Sequence, residues 1–247
     1  MNNKSILITG ASDGIGKALA LEMAKRCYDL ALTARRLEKL ELLQQEIMER
    51  YPKVRVEIAA LDVTDIPKVE PVIMGLRGVL GKLDIVLANA GIAHAGKVGQ
   101  TPIEEHLSVI NTNVNGAMAT LAAGLKIFRE QGFGHLVGTS SVAAYRGLPK
   151  NAAYSASKAA LSTLMEAIRV ETLTENIDVT VLHPGFIDTE INRKLDNRPF
   201  VIQVEKGAEI FAQLIERKVK RSAVPVMPWC IVAPLLKILP SSMIARM

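Results

Sequence analysis

At 247 residues, 49% of them apolar and 22% charged, the chain is long enough to bury a full core and suits one large α/β domain, 1–247, better than two small ones. A formal net charge of +5 with 4% aromatic residues argues against nucleic acid as a partner and leaves room for an anionic ligand. Cys27 and Cys230 are too few for a disulfide framework, the opening MNNKSILITG lacks the apolar run of a secretion signal, and no run reaches spanning length, so a cytoplasmic protein is expected.

Six short aliphatic runs follow in order: SILIT (5–9), LALTA (30–34), VRVEIAAL (54–61), LDIVLAN (83–89), HLVGTSS (135–141) and IDVTVLH (177–183). Each reads as a strand buried on both faces, and segments with helical spacing lie between them, among them 16–26, 37–50 and 159–173. Strand alternating with helix implies parallel pairing and right-handed crossovers. The expected fold is therefore α/β, a Rossmann-type doubly wound parallel sheet with helices on both faces, with ligand sites at the carboxyl ends of the strands.

The first strand leads into TGASDGIG, where Gly10, Ser12, Asp13, Gly14, Ile15 and Gly16 are candidates to meet a pyrophosphate. Glycines there admit the anion to the backbone, and the N-terminus of the helix beyond offers unpaired N–H groups. The spacing is G-x-x-x-G-x-G, not the commoner G-x-G-x-x-G. The second strand ends at Ala34, followed by Arg35 and Arg36. An acid there would bind a ribose 2′-hydroxyl, whereas two arginines suit a 2′-phosphate, so NADP(H) is favoured over NAD(H). Asp13 is expected to turn away from that phosphate or to pair with an arginine.

Asp62 and Val63 follow the third strand, the former a candidate acceptor for an adenine amino group, and Asn89, Ala90 and Gly91 follow the fourth, where the backbone passes a ribose. Ser140 and Ser141 follow the fifth. Beyond them YSASK sets Tyr154 and Lys158 four residues apart, on one face of a helix, so that the ammonium is expected to bring the phenol's pKa down. After the sixth strand Pro184-Gly185 breaks the chain, and Thr189 stands within reach of a carboxamide. His94 and His183 fall near this edge without a placed carboxylate or serine partner, and neither is given a role. No metal ligands are assigned.

With these pieces in this order, the chain resembles the short-chain dehydrogenase/reductase family, in its NADP(H)-preferring single-domain branch, from residue 4 to about residue 226. The resemblance implies a catalytic tetrad of Asn113, Ser141, Tyr154 and Lys158, with Asn113 chosen over Asn111 and Asn115 because Asn113-Val114-Asn115-Gly116 fits the family's register. It also implies that Pro184, Gly185, Ile187 and Thr189 flank the nicotinamide. Tyr154 is then the general acid for carbonyl reduction or, as phenolate, the base for alcohol oxidation. Lys158 lowers the phenol's pKa and binds the nicotinamide ribose, Ser141 holds the substrate oxygen, and Asn113 positions a water behind Lys158. A small-molecule carbonyl or alcohol is the expected partner, and a homodimer or homotetramer built on the helices containing Asn113 and Tyr154 the expected assembly. A non-catalytic dinucleotide-binding regulator would ordinarily lack the tyrosine or the lysine, and both are present. Two departures stand out: Ala88 precedes Asn89 where a second asparagine is frequent, and Asp13 occupies a position that is sometimes basic.

From Val224 the chain reads VPVMPWCIVAPLLKILPSSMIARM. This apolar tail admits three readings: a lid in which Trp229, Leu235 and Leu236 enclose a lipophilic substrate, a peripheral membrane contact with Trp229 at the interface and Lys237 and Arg246 near headgroups, or oligomer packing. The cluster Arg217, Lys218, Lys220, Arg221 is read as a solvated helix end. The segment from Phe186 to Val201, with Ile191, Leu195 and Phe200, suggests a partly apolar substrate pocket, and with the tail it tilts the substrate towards a lipophilic ketone or aldehyde.

Overall fold

In the computed structural model, which describes residues 3–193 and 198–245, one parallel sheet has the strand order β3-β2-β1-β4-β5-β6-β7. The strands are β1 (Ser5–Thr9), β2 (Asp29–Ala34), β3 (Val56–Ala60), β4 (Ile85–Ala88), β5 (Gly134–Thr139), β6 (Ile177–Pro184) and β7 (Arg221–Val224). Order reverses between β1 and β4, and the crevice at their carboxyl ends is where a doubly wound sheet receives its ligand. Each central strand feeds two cores. Ile6 and Ile8 face one side with Leu30, Leu32, Ile85 and Leu87, while Leu7, Ala31 and Val86 face the other.

The first core is closed by α1 (Gly14–Lys25), α2 (Leu37–Arg50) and, later in the chain, Phe211, Leu214 and Ile215; the second by α3 (Ile66–Leu80) and by two later helices, α5 (Ala117–Gln131) and α6 (Ala152–Glu171). Between α3 and α5 the chain forms α4 (Ile103–Ile110), then a π-helical turn, Asn111–Gly116, that runs directly into α5 (Ala117–Gln131). Helix α6 spans Ala152–Glu171, so YSASK lies within its first two turns, ahead of the apolar spacing that marks the helix from 159. Its early turns bury Ser155, Ser157 and Lys158, polar residues that leave no apolar period to read. After β6 come α7 (Glu190–Arg193) and α8 (Val204–Glu216).

The seventh strand went unread in the sequence. RSAV is short, lies at the sheet edge and buries only Ala223 and Val224, too little to register as an aliphatic run. The basic cluster straddles two elements. Arg217 caps α8, Lys218 pairs with Asp178 at 2.6 Å, and Arg221 opens β7.

The tail is helical, α9 (Val226–Ile238) and α10 (Ser241–Ile244). Trp229, Ala233 and Leu236 recur at helical spacing and turn inwards, while Met227, Ile231, Leu235 and Ile238 are exposed. Two expectations change here. Leu235 faces away from the protein because its neighbour Leu236 takes the inward position, and Trp229 is 4% exposed, buried against the domain and unable to anchor in a membrane interface. Leu195 and Arg246 lie outside the described residues, among which no helix is long and apolar enough to cross a membrane.

Phe128 is wholly buried beneath Gly134, where a Cβ would run into the Phe128 ring. Phe128→Ala should therefore cost about 3–5 kcal/mol, read as a lower urea midpoint with an unchanged slope.

Candidate active site

Two carboxyl ends meet at the crevice without room for side chains. Gly10, at φ +69°, approaches Ala90 so closely that an added Cβ would stand 2.8 Å from its Cα, and a Cβ at Gly16 would overlap Gly10 O. Thr9 Oγ1 holds the two strands together. It donates to Leu87 O at 3.3 Å and accepts from Asn89 N at 3.0 Å and Ala90 N at 3.1 Å. The Asn89 amide donates to Thr9 O at 3.0 Å, and its Oδ1 accepts from Thr139 at 3.3 Å, so this side chain braces β1, β4 and β5. Val63 is likewise occupied, buried against Gly116, where a Cβ would stand 2.6 Å from it.

Asp13 settles its own difficulty. Its carboxylate caps α1 through Gly14 N at 2.7 Å and pairs with Lys39 at 3.3 Å and Arg36 at 3.4 Å. Partial burial alone would raise its pKa, but the Gly14 and Lys39 hydrogen bonds outweigh it and hold the carboxyl below its usual range. Arg36 also donates to Ser12 Oγ at 3.2 Å. Arg35 is exposed, and its charge helps to hold Asp62 ionised, although burial opposes it and the larger contributions come from Thr64, whose N–H and hydroxyl donate to Asp62 at 2.9 and 2.8 Å. Lys39, which sequence reading passed over, thus joins the two arginines. Its position, third in LEKL and four residues beyond Arg35, offered the signal.

Around Lys158 the tetrad residues converge. The ammonium is 5% exposed, donates to Thr139 O at 2.8 Å and lies 5.7 Å from the centre of the Tyr154 ring. Burial drives its pKa down to about 8. Tyr154 is half-buried and hydrogen-bonded with Ser141, whose hydroxyl also accepts from Ala143 N at 3.1 Å and lies 3.4 Å from Pro184 O. Gly91 faces this cluster. A Cβ there would stand 3.2 Å from Asn113 Oδ1 and 3.4 Å from Lys158 Nζ.

The expected effect of Lys158 on Tyr154 is overturned. Burial pushes the phenol above its ordinary value, and the Ser141 hydrogen bond opposes this only in part. The ammonium stands 5.7 Å from the ring centre, and the cost of desolvating a phenolate exceeds what the Ser141 hydrogen bond returns.

The π-helical turn resolves the three asparagines. Asn113 points inwards, 1% exposed, accepting from Ile92 N at 2.9 Å and donating to Ile92 O at 2.9 Å and Ser157 Oγ at 3.0 Å. One Oδ1 lone pair is left for a further partner. Asn111 and Asn115 pair with each other on the exposed side at 3.1 Å. Ser157 in turn donates to Tyr154 O at 2.7 Å, a link within YSASK itself that sequence reading left unused.

His183 has the serine partner that was not foreseen. Its Nε2 lies 3.1 Å from Ser162 Oγ, which contacts Ser140 Oγ at 2.8 Å, and both serines donate to Lys158 O at 2.9 Å. Burial holds His183 to about 4, so it is neutral at physiological pH and braces the strand behind Lys158. His94 is exposed on the loop beyond Gly91. On the other rim, Ile187 is buried and Thr189, also buried, donates to Ile187 O at 3.3 Å, with its methyl 3.4 Å from where a Gly14 Cβ would lie.

The family model for short chain dehydrogenases matches residues 4–199. The chain belongs to this family. This short-chain dehydrogenase is 37% identical to an uncharacterised oxidoreductase of Mycobacterium tuberculosis across 100% of its own length and 98% of the relative's. It is 35% identical to an NADP-dependent 3-hydroxy acid dehydrogenase of Schizosaccharomyces pombe over 78% of this chain and 74% of that one. Among solved structures, an alcohol dehydrogenase of the archaeon Thermococcus sibiricus, complexed with 5-hydroxy-NADP, superposes with a TM-score of 0.82 at 30% identity, covering 89% of this chain and 95% of that one. An actinorhodin polyketide ketoreductase with NADPH gives 0.79 at 25% identity over 87% and 90%.

The buried ammonium makes a stability prediction. A lysine whose folded pKa of about 8 lies below its ordinary 10.5 binds its proton less well folded than unfolded. It therefore destabilises the fold fully below pH 8, and the penalty fades as pH rises towards 10.5. Lys158→Met should raise stability by about 1–3 kcal/mol at pH 7, with the gain shrinking across that window, as thermal melts of both proteins would show.

Proposed function

We propose that the protein is an NADP(H)-dependent oxidoreductase that interconverts a carbonyl and a secondary alcohol, working chiefly in reduction of an apolar ketone or aldehyde. The observation that carries this reading is the meeting of Ser141, Tyr154 and Lys158 against the side-chain-free Gly91 at the carboxyl edge of the sheet.

The residues fit the dinucleotide. The cradle at Gly10, Gly14 and Gly16 is one that a Cβ would fill or strain, and the start of α1 offers N–H groups to a pyrophosphate. Arg35, Arg36 and Lys39 supply cationic donors suited to a 2′-phosphate, held near the glycine loop by Asp13 and Asp62. Asp62 and Val63 would flank the adenine, Asn89 to Gly91 the ribose, and Pro184, Gly185, Ile187 and Thr189 the nicotinamide. The dinucleotide, when bound, supplies or accepts the hydride.

The chain's own work is proton transfer and charge placement. A phenol kept above its usual pKa rests as the neutral acid at physiological pH, the form that donates a proton to a carbonyl oxygen and hence the form that reduction needs. The Ser141 hydroxyl, beside the phenol, donates to the same oxygen as negative charge gathers on it. The Lys158 ammonium, with two donors left after Thr139 O, stabilises the phenolate that remains and would hold the ribose hydroxyls of a bound dinucleotide. Asn113 fixes the Gly91-Ile92 backbone opposite and keeps one acceptor for a water.

The substrate is drawn as apolar because Phe186 and Phe200 line the segment after Gly185 together with Trp229. A homo-oligomer is supported by the exposed apolar residues Ile103, Leu107 and Met118, on α4 and α5, which flank the Asn113 turn; light scattering would give its order.

Tyr154→Phe should abolish turnover of ketones while nicotinamide fluorescence still reports NADPH binding, and comparable turnover in the variant would sink the assignment. Arg35→Ala should weaken NADPH by about tenfold and NADH hardly at all in the same titration; equal losses would show that the arginine does not read a 2′-phosphate.

A further inference from the structure

Trp229, the chain's single tryptophan, touches both segments that carry the candidate active site. Its ring edge lies on Gly185. A Cβ at that glycine would stand 2.8 Å from the indole Cδ1 and overlap Nε1 and Cε2, so the turn after Pro184 has no room for a side chain. The ring packs with Phe186 at 6.0 Å and edge-on with Phe200 at 5.8 Å. It shares a buried cluster with Val142, the residue after Ser141, and with Ala223 and Ala233. The two segments it joins are already linked where Ser141 Oγ meets Pro184 O.

A second tether binds the tail to the Ser141 turn. Arg146 donates to Lys237 O at 3.4 Å, Leu239 O at 3.3 Å and Ser241 Oγ at 3.1 Å, and Lys237 lies 5.6 Å from the centre of the Tyr145 ring. The segments 186–188 and 198–202 are joined to each other by Ile202 N to Phe186 O at 3.0 Å, Asp188 N to Ile202 O at 2.9 Å and the Arg198–Asp188 pair at 2.7 Å. So joined, they meet the Ser141 side through the indole.

We infer that Trp229 is the positioning residue that sets substrate specificity in this site: it holds the Ser141 turn and the paired segments 186–188 and 200–202 at a fixed separation and seats Phe186 and Phe200 as an apolar wall. The inference rests on the carbonyl-reductase reading and narrows it to carbonyl compounds carrying an apolar substituent on that side, as against those with a carboxylate close to the carbonyl. The indole acts by shape. Its N–H is buried without an acceptor, so a phenyl ring supplies most of what the site requires.

The test compares native protein, Trp229→Ala and Trp229→Phe on ketones with short and long alkyl substituents and on acetoacetate, with NADPH affinity measured alongside. Trp229→Ala should bind NADPH as the native protein does, lose about 10–100-fold in kcat on the ketone the native protein prefers, and discriminate less between short and long substituents. Trp229→Phe should restore most of both. Native kcat and native discrimination in Trp229→Ala would overturn the inference, as would a uniform loss that includes NADPH binding and that phenylalanine does not rescue. If the alanine variant fails to fold, Arg146→Ala, which loosens the same tail, should shift discrimination in the same direction, and unchanged discrimination there counts against the proposal. A native protein that reduces no carbonyl sinks the oxidoreductase reading first. In that event Trp229 emission from the NADPH complex, unmoved by added long-chain ketone, overturns the placement of the tryptophan as well.

Discussion

A lysine ammonium shut away from water governs the geometry of this site. Desolvating a cation is costly unless nearby dipoles replace the lost hydration, and the surroundings of Lys158 are arranged around that need. Thr139 O accepts from one of its three N–H groups, and the carbonyl of Lys158 itself is held by Ser140 and Ser162, with neutral His183 behind them. The ammonium stays charged near neutral pH yet can neither move nor be screened. The same burial keeps the Tyr154 phenol protonated, so one low-dielectric pocket produces both an acid and a cation beside it.

The second constraint is the absence of side chains where β1 and β4 end. Gly10 closes against Ala90, and Gly91 leaves the Asn113 amide oxygen and the Lys158 ammonium facing bare backbone. Charge then gathers at the margin. Asp13 holds Arg36 and Lys39 at the glycine loop through contacts of 3.3–3.4 Å, weak enough at these exposed positions for a phosphate to compete for both cations. An acid that looks out of place beside two arginines in the sequence gathers, in the fold, a lysine and an arginine at the glycine loop.

The tail places the remaining wall. Its inward stripe of Trp229, Ala233 and Leu236 is spent on the domain, while its outward residues are available to other contacts. Beyond β6, the tryptophan seated on Gly185 shares a buried cluster with Val142, the residue after Ser141.

The order of the pieces was legible in the chain. Six strands announce themselves as aliphatic runs because a parallel sheet covered on both faces needs continuous apolar sequence, although the edge strand β3 buries only Val56 in full; the glycine turn, the arginines after β2 and the YSASK spacing follow from local chemistry at strand ends. Other features arise only from contacts between distant segments. The inward turn of Asn113, the Ser162 partner of His183, the pairing of Asp13 with Lys39, the short edge strand β7 and the direction of the Tyr154 shift all depend on neighbours far away in sequence. Spacing places Lys158 beside Tyr154, but burial, a property of the assembled fold, decides which way the phenol's pKa moves.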